Sequence, residues 1–186
     1  MILFFISLYL SATIQEWIFH KYLLHTKTSD LIENMYKNHI LHHANTMSDY
    51  RIRNDNSEYI CFDFFSIDGI VQSVVIFYVN TGFFYVLFNP NISMTIIQLS
   101  VAFMLFCNIF IWNTIHSHVH GFDSSKICYP KGISNSNMLL LENNIIIDWF
   151  IKNHQKHHDN KDTNYNIVFP GADYLFGTRY YETKKI

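Results

Sequence analysis

GIVQSVVIFYVNTGFFYVLFNPNISMTIIQLSVAFMLFCNIFIWNTI, residues 69–115, contains no Asp, Glu, Lys, Arg or His. As one helix its 47 residues would reach about 70 Å at about 1.5 Å per residue, against the roughly 30 Å apolar thickness of a bilayer. The stretch must fold back. Asn89-Pro90-Asn91 supplies the turn, because Pro90 has no amide donor to continue a helix and Asn favours turn conformations. This gives two spans, 69–88 and 92–115, with "VNTG" at 79–82 a candidate kink or re-entrant point in the first.

Outward from this hairpin, a third apolar run, "MILFFISLYLSATIQEWIF", covers about 1–19. It lacks a basic n-region and a small-x-small cleavage site and runs straight into histidines, so it reads as an anchor helix rather than a cleaved signal. "LLLENNIIIDWFIKNHQKHH", about 138–158, predicts one helix lying at the interface, its apolar run being too short and interrupted to cross. All thirteen Lys and Arg lie between the first span and the hairpin or after the hairpin, and none lies in the Asn89–Asn91 turn. Because cytoplasmic loops retain Lys and Arg, both basic segments are expected in the cytoplasm.

The 186 residues are 49% hydrophobic and only 15% charged, against roughly 25% charged in ordinary soluble domains, with a net charge of -2. That composition argues against a disordered chain and gives no general basic field for nucleic acid. Cys61, Cys107 and Cys128 are odd in number and far apart, and read as free thiols. No Gly, Ser or Pro-rich linker divides the chain, so residues 1–186 are expected to form a single domain. The fold expected is an all-α integral membrane protein, with about three membrane-spanning helices and a cytoplasmic helical cap.

The cap owes its chemistry to eleven histidines in four boxes: "HKYLLH" (His20, His25), "HILHH" (His39, His42, His43), "HSHVH" (His116, His118, His120) and "HQKHH" (His154, His157, His158). Residues three and four apart share a helix face, so each HxxHH triad points three imidazoles one way, and His116 and His120 do likewise. His118 points about 160° away from them. His20 and His25 are five apart, about 140° around an α-helix, so one of them is expected where the first helix ends or bends. Neutral imidazole suits iron, zinc, copper and nickel, and ten imidazoles exceed what one metal can take, so two metals are expected.

There is no HExxH, no Glu-x-x-His, no Gly-rich phosphate loop and no nucleotide fingerprint. Oxygen chemistry on lipid and metal binding without catalysis remain as the two classes. The spans carry no ligands near their midplane, which a transporter would need.

The order of the four boxes resembles the fatty acid hydroxylase superfamily, which also contains sterol desaturases and C4-methylsterol oxidases. The likeness covers nearly the whole chain. It includes the acidic and aromatic residues of "EWIFHKYLLH" and the closing "NYNIVFPGADYLFGT", where Asn166 stands for the family's Gly and Ala172 for its Trp. The resemblance implies an O2-dependent lipid hydroxylase, or a desaturase or C4-methylsterol oxidase of the same type. It implies two iron ions held by His20, His25, His39, His42, His43, His116, His120, His154, His157 and His158, with His118 outside the set. Zinc can occupy the same ligands in isolated protein. A membrane lipid is the implied substrate, with electrons from cytochrome b5 or a similar donor and its reductase, in an endoplasmic-reticulum-type membrane. Glu16, four residues before His20, is expected to accept that imidazole's other N–H, and Asp159 and Asp173 are further candidates beside the ligands. Phe83, Phe84, Phe103 and Phe106 are candidates to line an alkyl path, against a packing or lipid-facing role.

Overall fold

A computed structural model describes residues 1–27, 33–53, 61–62 and 65–180. Helices account for most of them, and among the described residues no strand forms; one isolated bridge pairs Thr46 with Ile52. In chain order the elements are α1 (Ile2–Ile18), a π-helical turn (Phe19–Leu24), α2 (Glu33–Asn45), α3 (Ile67–Phe88) and α4 (Met94–Val119). Short α5 (Ser124–Ile127), α6 (Asn135–Leu141), α7 (Ile145–Asp159) and α8 (Ala172–Leu175) follow.

Three helical stretches are long and apolar enough to cross a membrane: Ile2–Leu24, Gly69–Phe88 and Met94–Val119. Serines set both ends of the hairpin turn's neighbours, Ser66 accepting from the Gly69 amide at the start of α3 and Ser93 from the Ile96 amide at the start of α4. Such caps satisfy N–H groups that the helix itself leaves unpaired. α3 runs unbroken through Asn80 and Gly82, so "VNTG" neither kinks nor re-enters. Asn80 instead bonds the Gln15 side chain across to α1, at 2.7 and 3.0 Å, and its own Ile76 carbonyl. Polar contacts of this kind join helices where lipid offers no alternative partner.

At the end far from the histidines, Phe4, Leu8, Phe84, Ile92, Ile97 and Val101 make a core between the three long helices. Phe4 meets Phe84 and Phe88 edge to face, at 5.7 and 5.4 Å. Phe84 is thus a packing residue, and Phe83, Phe103 and Phe106 are more than half exposed, on the outer surface of the long helices. None of the four lines the cavity beside the histidines.

Two expectations change. The stretch 138–158 is two helices, because Asn144 turns the chain and caps α7 by accepting from the Ile146 amide at 2.9 Å. Leu139, Leu140, Ile145 and Ile146 flank this break and are more than half exposed, which leaves an apolar edge. Cys61 and Cys128 are not free thiols but a disulfide across a sequence separation of 67 residues, which no spacing rule could foresee. The bond pins residues 61–62 to the loop after α5, while Asn113 accepts from the Phe62 amide and donates to its carbonyl. Closing a loop of that length is worth about 4 kcal/mol. Denatured but unreduced protein should therefore take one alkyl label, on Cys107, and three after reduction; peptide mapping that finds label on Cys61 without reductant contradicts the pairing.

Candidate metal centre

The π-helical turn resolves the awkward spacing of the first box. Within it the His25 amide bonds back to the His20 carbonyl five residues earlier, at 3.2 Å, and this wider turn puts residues five apart on one side, bringing the two rings to 5.1 Å. α2 and α7 each present an HxxHH triad on one face, and α4 presents His116 and His120 from its last turn.

Ten imidazoles gather into two adjoining groups. Ligand nitrogens of His20, His25, His39 and His157 lie within 4.8 Å of one another, and so do those of His42, His116, His120 and His154. His43 adjoins the first group, its Nε2 3.1 Å from that of His39 and 3.2 Å from that of His157. His158 adjoins the second, 3.2 Å from both His42 and His154. The rings of His43 and His158 are 4.4 Å apart, so the groups touch. Each group draws on both halves of the chain, since each triad divides between them.

The donor set fits a cation. His39 Nε2 lies 3.2, 3.0 and 3.1 Å from the Nε2 atoms of His20, His25 and His43, and a single N–H cannot serve three acceptors. With bonds of about 2.1 Å, neighbouring donors around one metal are about 3.0 Å apart in octahedral and about 3.4 Å in tetrahedral arrangement. The observed edges of 3.0 to 3.2 Å fall between these values.

Backbone carbonyls orient the rings. His20 Nδ1 donates to the Tyr165 carbonyl at 2.7 Å, His157 Nδ1 to Thr163 at 2.7 Å and His120 Nδ1 to Tyr50 at 2.5 Å. A carbonyl can only accept, so the proton sits on Nδ1 and the Nε2 lone pair faces the group. Trp112 stacks on His116 with ring centroids 5.1 Å apart. The buried Nδ1 atoms of His42 and His154 have no hydrogen-bond partner.

Three carboxylates named from the sequence act at one remove. Glu16 does not accept from His20; it accepts from the amides of Ile167, Val168 and Phe169 at 2.7 to 2.8 Å, because the closing segment lies against α1. Asp173 accepts from the Tyr165 and Asn166 amides and from the Thr178 hydroxyl. Together they hold the segment whose Tyr165 carbonyl orients His20. Thr13 donates to the Phe169 carbonyl and accepts from the Ala172 amide. Gly171, at φ 156°, permits this approach, since a Cβ there would lie 3.0 Å from the Thr13 hydroxyl. Asp159 accepts from the Tyr50 hydroxyl, and the Tyr50 carbonyl orients His120. Tyr50 itself takes the left-handed conformation, at φ 66°, which turns that carbonyl toward the ring. Tyr50, Thr163 and Tyr165 carry no motif, because a main-chain carbonyl leaves no mark in side-chain chemistry.

His118 lies outside both groups. Its Nδ1 meets Asn135 Oδ1 at 3.0 Å and its Nε2 meets Glu142 Oε1 at 2.8 Å, which ties the end of α4 to α6.

Burial and neighbouring rings keep the imidazoles neutral. Burial first, then Lys161, lowers His25 to about 4. Burial lowers His120 to about 4 against the Tyr50 carbonyl, and burial followed by His25 lowers His157 to about 3. His39, His42 and His154 are pushed well below the ordinary 6.5, chiefly by burial. Neutral imidazole is the form that binds metal.

No protein-family model, characterised protein sequence or solved structure matches this chain.

Two measurements follow. The purified protein should bind two divalent ions, one per group, with close to one fewer in each of His116→Gln and His39→Gln and no loss in His118→Gln; metal loss in His118→Gln with retention in His116→Gln refutes this ligand assignment. Folded imidazole values lie below the unfolded 6.5, so the unfolded chain takes up protons first and stability falls as pH drops from about 6.5 toward 4. Chelated protein should show its thermal midpoint falling across that window, and a midpoint that is flat or rises on acidification contradicts it.

Proposed function

We propose that this protein is a membrane-embedded oxygenase that hydroxylates a lipid hydrocarbon chain with O2, using two iron ions held by the ten imidazoles. The observation that carries this reading is a cavity of about 420 Å³ between the long helices, onto which His20 and His39 of one group and His116 of the other all open. Its remaining walls are largely apolar, including Ile76, Leu105, Ile109 and Trp112. An apolar recess within the spans that ends on two clustered metal-binding groups suits an alkyl chain and keeps bulk water from the reacting carbon. The sequence resemblance points the same way.

Iron at these ligands supplies activation of O2 toward an unactivated C–H bond. The balance is that one oxygen atom enters that bond and the other leaves as water, with two electrons and two protons taken from an external donor. Cytochrome b5 with its reductase is the donor proposed, because the chain contains no nucleotide fingerprint of its own. The protein's own residues do the positioning. Tyr165, Thr163 and Tyr50 carbonyls hold three imidazoles in register, and the apolar walls admit the chain alongside α1, α3 and α4. Glu16 and Asp173 brace the closing segment that carries Tyr165.

The cap is proposed to face the cytoplasm of an endoplasmic-reticulum-type membrane, where the exposed leucines and isoleucines around the α6–α7 break rest on the surface. All thirteen basic residues argue for that side. The Cys61–Cys128 bond is the opposing signal, since disulfides belong to oxidising compartments.

Iron-loaded protein given cytochrome b5, its reductase and NADH should consume O2 and add one oxygen atom to a lipid, with loss of both in His39→Gln. Absence of O2 uptake and of oxidised product across acyl, alcohol and sterol substrates overturns the proposal. Glycosylation acceptors inserted in the Asn89–Asn91 turn should be modified and one near Lys184 should not; the reverse pattern overturns the orientation.

A further inference from the structure

The cavity that ends on the histidines is not uniformly apolar, and apart from Asn38, exposed beside His39, its polar wall residues within the long helices fall into two kinds. Gln15 is engaged by Ser11 and Asn80, and Glu16 by the amides of 167–169, so both are occupied in joining helices and loop. Ser73 on α3 and Asn108 on α4 also line the cavity, but no described residue hydrogen-bonds either side chain. Gln72, next to Ser73, has its Oε1 buried without a donor, its Nε2 meeting the weak acceptor Met35 Sδ at 3.3 Å.

These residues stand at one level. Counting from Asn91 in the turn, Ser73 is 18 residues back along α3 and Asn108 is 17 forward along α4, and the two helices pack antiparallel. Asn108, Trp112 and His116 follow at intervals of four on one face of α4, all lining the cavity, which puts Asn108 about 12 Å along the helix from the ligand His116. In so apolar a cavity, a side-chain amide and a hydroxyl without a protein partner are costly to leave unpaired. Among the described residues no Lys or Arg lines the cavity, so a carboxylate or phosphate head group would enter without a counter-charge from them.

We infer that Ser73 and Asn108 are specificity-determining residues that bind the hydroxyl or amide group of an uncharged lipid, holding it about 12 Å from the carbon presented to the histidines. The assignment rests on the oxygenase reading only for the direction in which the chain points. An amide side chain both donates and accepts, and so does a hydroxyl, so such a group can satisfy Asn108 and Ser73 together. Free fatty acids and phospholipids are excluded by charge, and plain hydrocarbons leave the polar level unpaired.

Binding tests this without turnover. Metal-loaded protein in detergent, kept without reductant, is dialysed to equilibrium against radiolabelled dodecanol, with dodecanamide, dodecane and dodecanoate as competitors. Dodecanol and dodecanamide should bind about tenfold more tightly than dodecane, the size of two or so modest hydrogen bonds, and dodecanoate should be the weakest. In Ser73→Ala/Asn108→Leu protein the advantage over dodecane should shrink below about twofold, while dodecane binding and two bound metals are retained. If the double variant loses metal, Ser73→Ala alone should still cut the advantage about threefold. Dodecanoate binding as tightly as dodecanol, or a variant that keeps the full preference, overturns the inference. Failure of O2 uptake leaves this ranking untouched, whereas oxidation of dodecane and dodecanol with equal efficiency overturns the inference and leaves the oxygenase standing.

Discussion

Imidazole lone pairs that converge in a buried place cannot all be satisfied by protons. Around His39, three other Nε2 atoms lie within 3.2 Å, and protonating the set would place like charges side by side away from water. A divalent cation would remove the conflict at both groups, and much of the surrounding architecture holds the rings in the places such an ion needs. The π-helical turn stacks His20 over His25, the triads on α2 and α7 split between the groups, and three main-chain carbonyls fix the proton on the far side of their rings. An ion bound there would stabilise the folded chain, because the unfolded chain does not bring these rings together.

How much of this is legible in the sequence depends on which atoms carry the information. The hairpin of spans is legible because an uncharged run too long for one crossing must fold back, and two helical stretches long and apolar enough to cross, Gly69–Phe88 and Met94–Val119, stand on either side of the turn. The exclusion of His118 from the clustered rings follows from helical rotation alone, and its partners Asn135 and Glu142 lie on the opposite side of α4. The divided triads were not legible. HxxHH says that three rings share a face, but which ring serves which group depends on how α2, α4 and α7 cross. Glu16 shows the same limit. Its place four residues before His20 invites a local bond, yet a segment some 150 residues away supplies three amides, and long-range main-chain donors outcompete the single imidazole.

Where polar residues occur within the spans, the structure separates those that join helices from those that face the cavity. Gln15 and Asn80 bond each other and Ser11, and their hydrogen-bonding capacity is used in holding α1 against α3. Ser73 and Asn108 sit in equally apolar sequence and turn toward the cavity instead. Composition cannot distinguish these roles, because both are single polar residues in hydrophobic runs. The distinction depends on the helix face and on what the neighbouring helix offers there.

The bracing of the closing segment against α1 has a consequence in time. His157 joins a group whose other three rings come from His20, His25 and His39, and the Tyr165 carbonyl that orients His20 is held by Glu16 at one end of the chain and by Asp173 and Thr178 near the other. Since synthesis proceeds from the N-terminus, the first helix is in the bilayer long before residues 157–178 leave the ribosome. The first group is therefore incomplete throughout translation. A metal ion arriving early would meet only part of these ligands, and tight capture would wait until the last segment has docked against the first helix.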